Sequence, residues 1–188
     1  DGKYLVLAGY ASEPGLASIG STATSVVQRV LARVDAAGHV DTSTRLDVAF
    51  NGNNGRSATS VDGTSFWAAD NGSGGTGGVY AISLGAVGGT QVLAGNVRVV
   101  QVIEGQLYGS SGAGALTNVF AVGTGLPTTE DQTATSLPGM PTSDASPFGY
   151  ALLDRSPSVP GVDTLYVADD RDLADGGGVQ KYPLADGS

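Results

Sequence analysis

Short runs of alternating apolar and polar residues, broken by clusters of Gly, Ser, Asn and Asp, cover almost the whole chain. The clearest stretch is Ser65–Leu84, SFWAADNGSGGTGGVYAISL, in which an apolar run ends in Ala-Asp, a glycine-rich loop follows, and a second apolar run leads out. Alternation at period two with turn residues between the runs predicts a β-hairpin. The same phrase returns as Thr164–Leu184, TLYVADDRDLADGGGVQKYPL, more loosely as Gln106–Val122, and stretched out over Lys3–Val34.

Each hairpin sits in a larger unit. Asp62-Gly63 provides a tight turn between predicted strands Arg56–Val61 and Ser65–Ala69, and Gly78–Leu84 and Thr90–Ala94 complete four strands. The next unit reads Val97–Ile103, Gln106–Gly109, Asn118–Val122 and a polar strand around Gln132–Leu137. A last unit has Phe148–Asp154, Thr164–Ala168 and Gly178–Tyr182, with no fourth strand before the sequence ends. Asp1-Gly2 matches Asp62-Gly63, so the first unit begins at its second strand and continues through Val26–Val34 and His39–Leu46. Val26–Val34 has spacing that also suits a short helix, but its β-branched residues and the turn after it favour a strand.

Aligned on their second strands, Tyr4, Trp67, Tyr108 and Tyr166 stand 63, 41 and 58 residues apart. Four-stranded units at such intervals predict an all-β fold made of β-propeller blades. The expectation is about four antiparallel blades near residues 1–50, 51–95, 96–140 and 141–188, the first lacking its inner strand and the last its outer one. A β-sandwich or β-helix is the alternative. Missing strands leave sheet edges and apolar faces open, which predicts self-association into a homo-oligomer, a dimer being the simplest.

Composition narrows the classes. Charged residues make up 14% of the chain, glycine numbers 30, and the net charge is −9. Nucleic-acid binding is not expected, because phosphate contacts need clustered Lys and Arg. Here the basic residues are Lys3, Lys181 and seven scattered Arg. With no Cys, thiolate metal sites and Cys nucleophiles are excluded. No apolar run approaches the ~20 residues of a membrane-spanning helix.

Several motifs, DGTSFWAA, GGVYAI, NVFAVGTGLPTT, LPGMP, SPFGYALLDRS, GVDTLYVADD and GGVQKY, together resemble secreted bacterial β-propeller proteins of the NHL and YVTN type. The resemblance implies a propeller fold, an extracellular location, and membership of a wider group that holds metal-dependent lactonases, phosphotriesterase-like enzymes and pure binding scaffolds. It carries over no catalytic residue.

The candidate chemistry lies in the loops. Asp169, Asp170, Asp172 and Asp175 alternate ahead of Gly176, which is one way of presenting oxygen ligands to Ca²⁺, and Asp70 holds the place of Asp169 in the earlier copy. The other reading is a solvated turn whose Asp side chains cap backbone amides. On the same expected rim stand the funnel candidates Asn54, Arg56, Asn96, Arg98, Asp144 and Ser146, with Asn53 beside them. Arg56 and Arg98, at equivalent first-strand positions, suit an anionic ligand, or else each pairs with a neighbouring Asp. His39 is the only histidine and reads as a surface residue, and Trp67 and Tyr108 read as packing residues. Two functions remain in view. One is a secreted module that binds an unidentified small-molecule or protein ligand, or serves as a scaffold. The other is a Ca²⁺-assisted hydrolase of esters, lactones or phosphoesters.

Overall fold

A computed structural model describes residues 2–184. The chain is all-β: four antiparallel sheets, two of three strands and two of four. Among the described residues there is no α-helix, and none long and apolar enough to cross a membrane. The first sheet holds β1 (Tyr4–Tyr10), β2 (Arg29–Asp35) and β3 (Val40–Leu46). The second holds β4 (Ser57–Ser60), β5 (Ser65–Asp70), β6 (Gly78–Ser83) and β7 (Thr90–Ala94). The third holds β8 (Val99–Ile103), β9 (Gln106–Ser111), β10 (Asn118–Val122) and β11 (Ala134–Ser136). The fourth holds β12 (Pro147–Leu153), β13 (Thr164–Asp169) and β14 (Gly178–Pro183). In every sheet the strands pair in chain order, as simple up-and-down meanders.

The units share a register. A short 3₁₀ turn lies between β1 and β2 (Ile19–Ser21), β5 and β6 (Ser73–Gly75), β9 and β10 (Gly114–Leu116), and β13 and β14 (Leu173–Asp175). This places β1 with β5, β9 and β13, so the first sheet starts at the second-strand position and the fourth ends at the third. The residue opening β6, β10 and β14 has positive φ in each case: Gly78 at 126°, Asn118 at 77° and Gly178 at 109°. At Gly78 a Cβ would fall 1.9 Å from the Leu93 carbonyl oxygen, so a side chain is excluded by space as well as by φ.

Several expected boundaries move by one to three residues. Val26–Val34 begins as a turn, with the Val26 and Val27 amides donating to the Ala23 carbonyl, and becomes strand only at Arg29. The polar strand near Gln132–Leu137 shrinks to Ala134–Ser136.

The sheets pack in series. β1 lies on β4, β4 on β8, and β12 on β8 and β9. Because side chains alternate between the two faces of a strand, one face of β5 serves each neighbour. Phe66 and Ala68 join Leu31, Leu46, Phe50, Tyr80 and Ile82 between the first and second sheets, with Val6 and Ala8 packed against them. Trp67 and Ala69 join Val79, Val100, Leu107, Phe120 and Val122 between the second and third. Val119, Met140, Tyr150, Leu165 and Val167 fill the junction between the third and fourth. Each large side chain fully buried this way contributes about 1.5–3 kcal/mol. The outer strands add polar ties: the Arg45 amide donates to Ala86, the Gly88 amide to Arg45, and the Gln132 amide to Val92.

Candidate functional site

The second strands end in Asp70, Ser111 and Asp169, and the third strands begin opposite them, with Asp70 facing Gly78, Ser111 facing Asn118 and Asp169 facing Gly178. The first strands begin alongside: the Arg56 amide donates to Ala69 and the Arg98 amide to Ser110. Strand pairing therefore puts Arg56, Arg98, Ser146 and the strand-end Asp residues at corresponding ends of their own sheets, called the rim below.

At Asp70 the carboxylate is fully buried, and Arg56 Nε lies 2.7 Å from its Oδ1. The N–H does not point along that line, and neither carboxylate oxygen accepts a well-directed side-chain hydrogen bond. Burial raises the Asp70 pKa to about 6, against the pull of the Asn71 amide and of the Arg56 and Arg29 charges. Arg56 spends Nη1 on Asn96 Oδ1 at 2.7 Å. Asn54 accepts from the Tyr10 hydroxyl at 3.0 Å.

Sequence reasoning passes over Arg29, which is 1% exposed. Its guanidinium donates to the carbonyls of Asn53, Val27, Gly20 and Thr22, and lies 5.4 Å from the Tyr10 ring centroid. Burial lowers its pKa, while Tyr10 and Asp70 oppose that. A lone Arg within an apolar run was the available signal: a cation there needs a cage of acceptors.

In the third sheet the position of Asp70 is taken by Ser111, so Arg98 has no carboxylate in its own sheet. It reaches across to the fourth, donating from Nη1 to the Ser146 and Pro147 carbonyls at 3.1 Å each and to Asp170 Oδ1 at 3.4 Å. It also lies 5.0 Å from the Phe148 ring centroid. Asp70 and Asp170 are thus the Asp partners of the two equivalent arginines.

Asp169 is buried like Asp70 but fully engaged. Arg171 donates from Nε to Oδ1 at 2.8 Å and from Nη2 to Oδ2 at 3.1 Å, and the Ser146 amide reaches Oδ2 at 2.9 Å. Burial pushes this carboxyl up, but the hydrogen bonds from Arg171 and Ser146 outweigh it and hold the pKa below the usual value. Arg171 also donates to the Asp144 carbonyl, so Asp144 contributes its backbone here.

Asp172 precedes the turn Leu173–Asp175, Asp175 is its last residue, and both are exposed. Among the described residues, no group of three or more His, Asp or Glu side chains gathers as a metal site. His39 sits in the β2–β3 turn, its Nδ1 3.0 Å from Asp35 Oδ2. Trp67 donates from Nε1 to the Pro127 carbonyl at 2.8 Å and is 2% exposed, which makes it a packing residue.

Two cavities of about 250 and 280 Å³ lie elsewhere, beside the starts of second strands. One is lined by Tyr108, Met140, Leu165 and Tyr182 among others, the second by Phe66, Trp67 and Ile82 among others, and neither by any rim candidate. Compared with models of known families and with curated proteins, the chain matches none.

Proposed function

We propose that the four sheets are consecutive blades of a β-propeller-type module, secreted by a bacterium, that binds a small-molecule or protein ligand or acts as a scaffold. The observation carrying this reading is how the rim charges are used. Arg56 joins the second sheet to Asn96 ahead of the third, Arg98 joins the third sheet to the fourth, and Arg171 ties Asp169 to the loop at Asp144. Side chains spent on braces between neighbouring sheets favour a rigid presenting surface over a reaction centre. The serial packing of second strands on the following first strands is the arrangement a propeller-type array requires. The acidic, cysteine-free composition suits an extracellular setting.

One observation favours the second reading, a Ca²⁺-assisted hydrolase. Asp70 has spare acceptor capacity and a carboxyl raised to about 6, the combination expected of an acid–base group. Full burial weighs against it, because a group with no exposed surface cannot touch a substrate.

The deciding experiment measures hydrolysis of a nitrophenyl ester, a lactone and a phosphodiester with Ca²⁺ and with EDTA, alongside thermal melts. Binding or scaffolding predicts no turnover above buffer and no EDTA effect on either readout. Ca²⁺-dependent turnover abolished by Asp169→Ala or Asp70→Asn, with folding retained, would replace it with the hydrolase.

A further inference from the structure

The sequence holds three Asn-Gly pairs: Asn51-Gly52, Asn54-Gly55 and Asn71-Gly72. In such a pair the glycine amide nitrogen can attack the Asn side-chain carbonyl carbon, because the attacking residue carries no side chain to block the approach. The fold treats the three pairs differently. The Gly52 amide is spent on the Thr22 carbonyl at 3.2 Å, and Asn51 Oδ1 accepts from the Thr24 amide at 3.0 Å. Asn54 Oδ1 accepts from the Tyr10 hydroxyl at 3.0 Å. At the third pair the reacting groups meet each other. The Gly72 amide donates to Asn71 Oδ1 at 2.9 Å, and among the described residues the Asn71 side chain makes no other hydrogen bond. Both residues are partly exposed, so water reaches them.

Asn118 supplies the contrast. Its Oδ1 also accepts from the following amide, that of Val119, at 3.1 Å. But Asn118 is 1% exposed, its Nδ2 is tied to the Pro141 carbonyl at 3.1 Å, and the next residue is β-branched. The same contact there lacks water, a free leaving group and an open nucleophile.

We propose that Asn71 is a site of self-modification, in which the Gly72 nitrogen closes on Asn71 Cγ, and that the isoaspartyl product frees the β5–β6 loop from residues 50–53. Hydroxide takes the Gly72 amide proton, the N–Cγ bond forms, and the Cγ–Nδ2 bond breaks with loss of ammonia, leaving a succinimide. Water then opens either imide bond, giving aspartate or isoaspartate. Held contact between nucleophile and electrophile favours this closure over reaction at the other pairs. The aspartyl form keeps the chain length and carries the residue that the fourth sheet has at Asp170. The isoaspartyl form runs the main chain through the former side chain and adds one carbon ahead of Gly72. There a Cβ on Gly72 would already lie 2.5 Å from the Gly77 nitrogen. The loop so disturbed holds residues 50–53: the Ser73 amide donates to the Asn51 carbonyl, the Phe50 amide to the Thr76 carbonyl, and the Asn51 amide to Thr76 Oγ1. The Asn53 carbonyl in turn helps cage Arg29.

The test is ageing of the intact chain in warm, weakly alkaline buffer, followed by trypsin and mass spectrometry. Cuts after Arg45, Arg56, Arg98 and Arg155 put Asn51 and Asn54 on one peptide, Asn71 with Asn96 on a second and Asn118 on a third. In the folded chain, exchange of one NH for one O should accumulate at Asn71 several-fold faster than at Asn51 or Asn54, with Asn118 unchanged. In the urea-unfolded chain the three Asn-Gly pairs should react at similar rates. Folded Asn71 that stays intact, or reacts no faster than Asn51 or Asn54, overturns the proposal. The isoaspartyl fraction, recognised by enzymatic methylation of its free carboxyl, should exchange the Phe50 and Ser73 amide hydrogens faster than Asn71→Asp, which imitates the other product. Equal exchange in the two overturns the release of the loop.

Discussion

Asp70 and Asp169 close the second strands of two sheets in the same register, and both carboxylates are buried. Their surroundings differ by one arginine. Arg171, two residues after Asp169, folds back with a two-pronged grip. Two residues after Asp70 stands Gly72. There a Cβ would lie 2.5 Å from the Gly77 amide nitrogen and from the Thr76 carbonyl carbon, so the loop closes too tightly for an arginine. Asp70 must rely on Arg56, which approaches from another strand and is shared with Asn96. Both are buried, Asp70 the more deeply, and they shift in opposite directions: a carboxyl held below its ordinary pKa at Asp169 and one raised to about 6 at Asp70. Burial sets the cost of the charge, and the directed donors within reach decide its sign.

Removing Arg171 should make Asp169 worse off than Asp70. Arg171→Ala leaves a buried carboxylate with only the backbone amides of Ser146 and of residue 171, at an expected loss of about 3 kcal/mol at pH 7. Because the folded pKa of Asp169 is depressed, its stabilisation is present above the unfolded value of 3.8 and disappears as pH falls through the folded value. Urea midpoints of variant and wild type should separate at pH 7 and converge in strong acid. Equal midpoints at pH 7 would show that the arginine is dispensable.

Asp70→Asn should act in the opposite direction. The folded pKa near 6 lies above the unfolded 3.8, so the carboxyl costs nothing below pH 3.8 and its penalty is complete above about 6. Asn imitates the protonated form, and the variant should gain up to about 3 kcal/mol over wild type at pH 7 and nothing at pH 3. A constant difference across that range would show that Asp70 does not titrate there.

Gly72→Ala tests the spatial reason for the contrast. Overlap with Gly77 and Thr76 should cost about 2 kcal/mol at every pH. Gly9→Ala, with nothing within 4 Å of the added carbon, is the control and should change the melting point little.

Much of the fold was legible because strand signals are local. Period-two alternation bounded by Gly, Asn and Asp marks β6, β7 and β10 to within a residue, and the aromatic register holds at Trp67, Tyr108 and Tyr166. It slips at Tyr4: the residue of β1 in the Trp67 position is Val6, while Tyr4 stands two residues earlier on the same face, against Gly63 and 4.7 Å from the Arg33 guanidinium. The rim was less legible. Its residue types were readable, but whether Arg56 and Arg98 face a ligand or an Asp depends on long-range partners. Ser111 in place of an Asp sends Arg98 into the next sheet, and no spacing rule encodes that. The cage around Arg29 likewise consists of backbone carbonyls from distant loops, which leave no mark in side-chain identity.

The smallest effect sharpens the comparison most. Asn96→Ala removes one partly exposed hydrogen bond, at about 0.5–1 kcal/mol. It also releases Arg56 from the third sheet. If Asn96 holds the guanidinium off-line, the freed group can rotate to direct N–H donors at Asp70, as Arg171 does at Asp169. The Asp70 carboxyl should then titrate below 6 by carbon-detected NMR, while Asp169 stays where it is. A titration of Asp70 unchanged by the substitution would mean that the Arg56 backbone, fixed by its amide bond to Ala69, sets the poor geometry. The difference between the two carboxylates would then belong to strand placement alone.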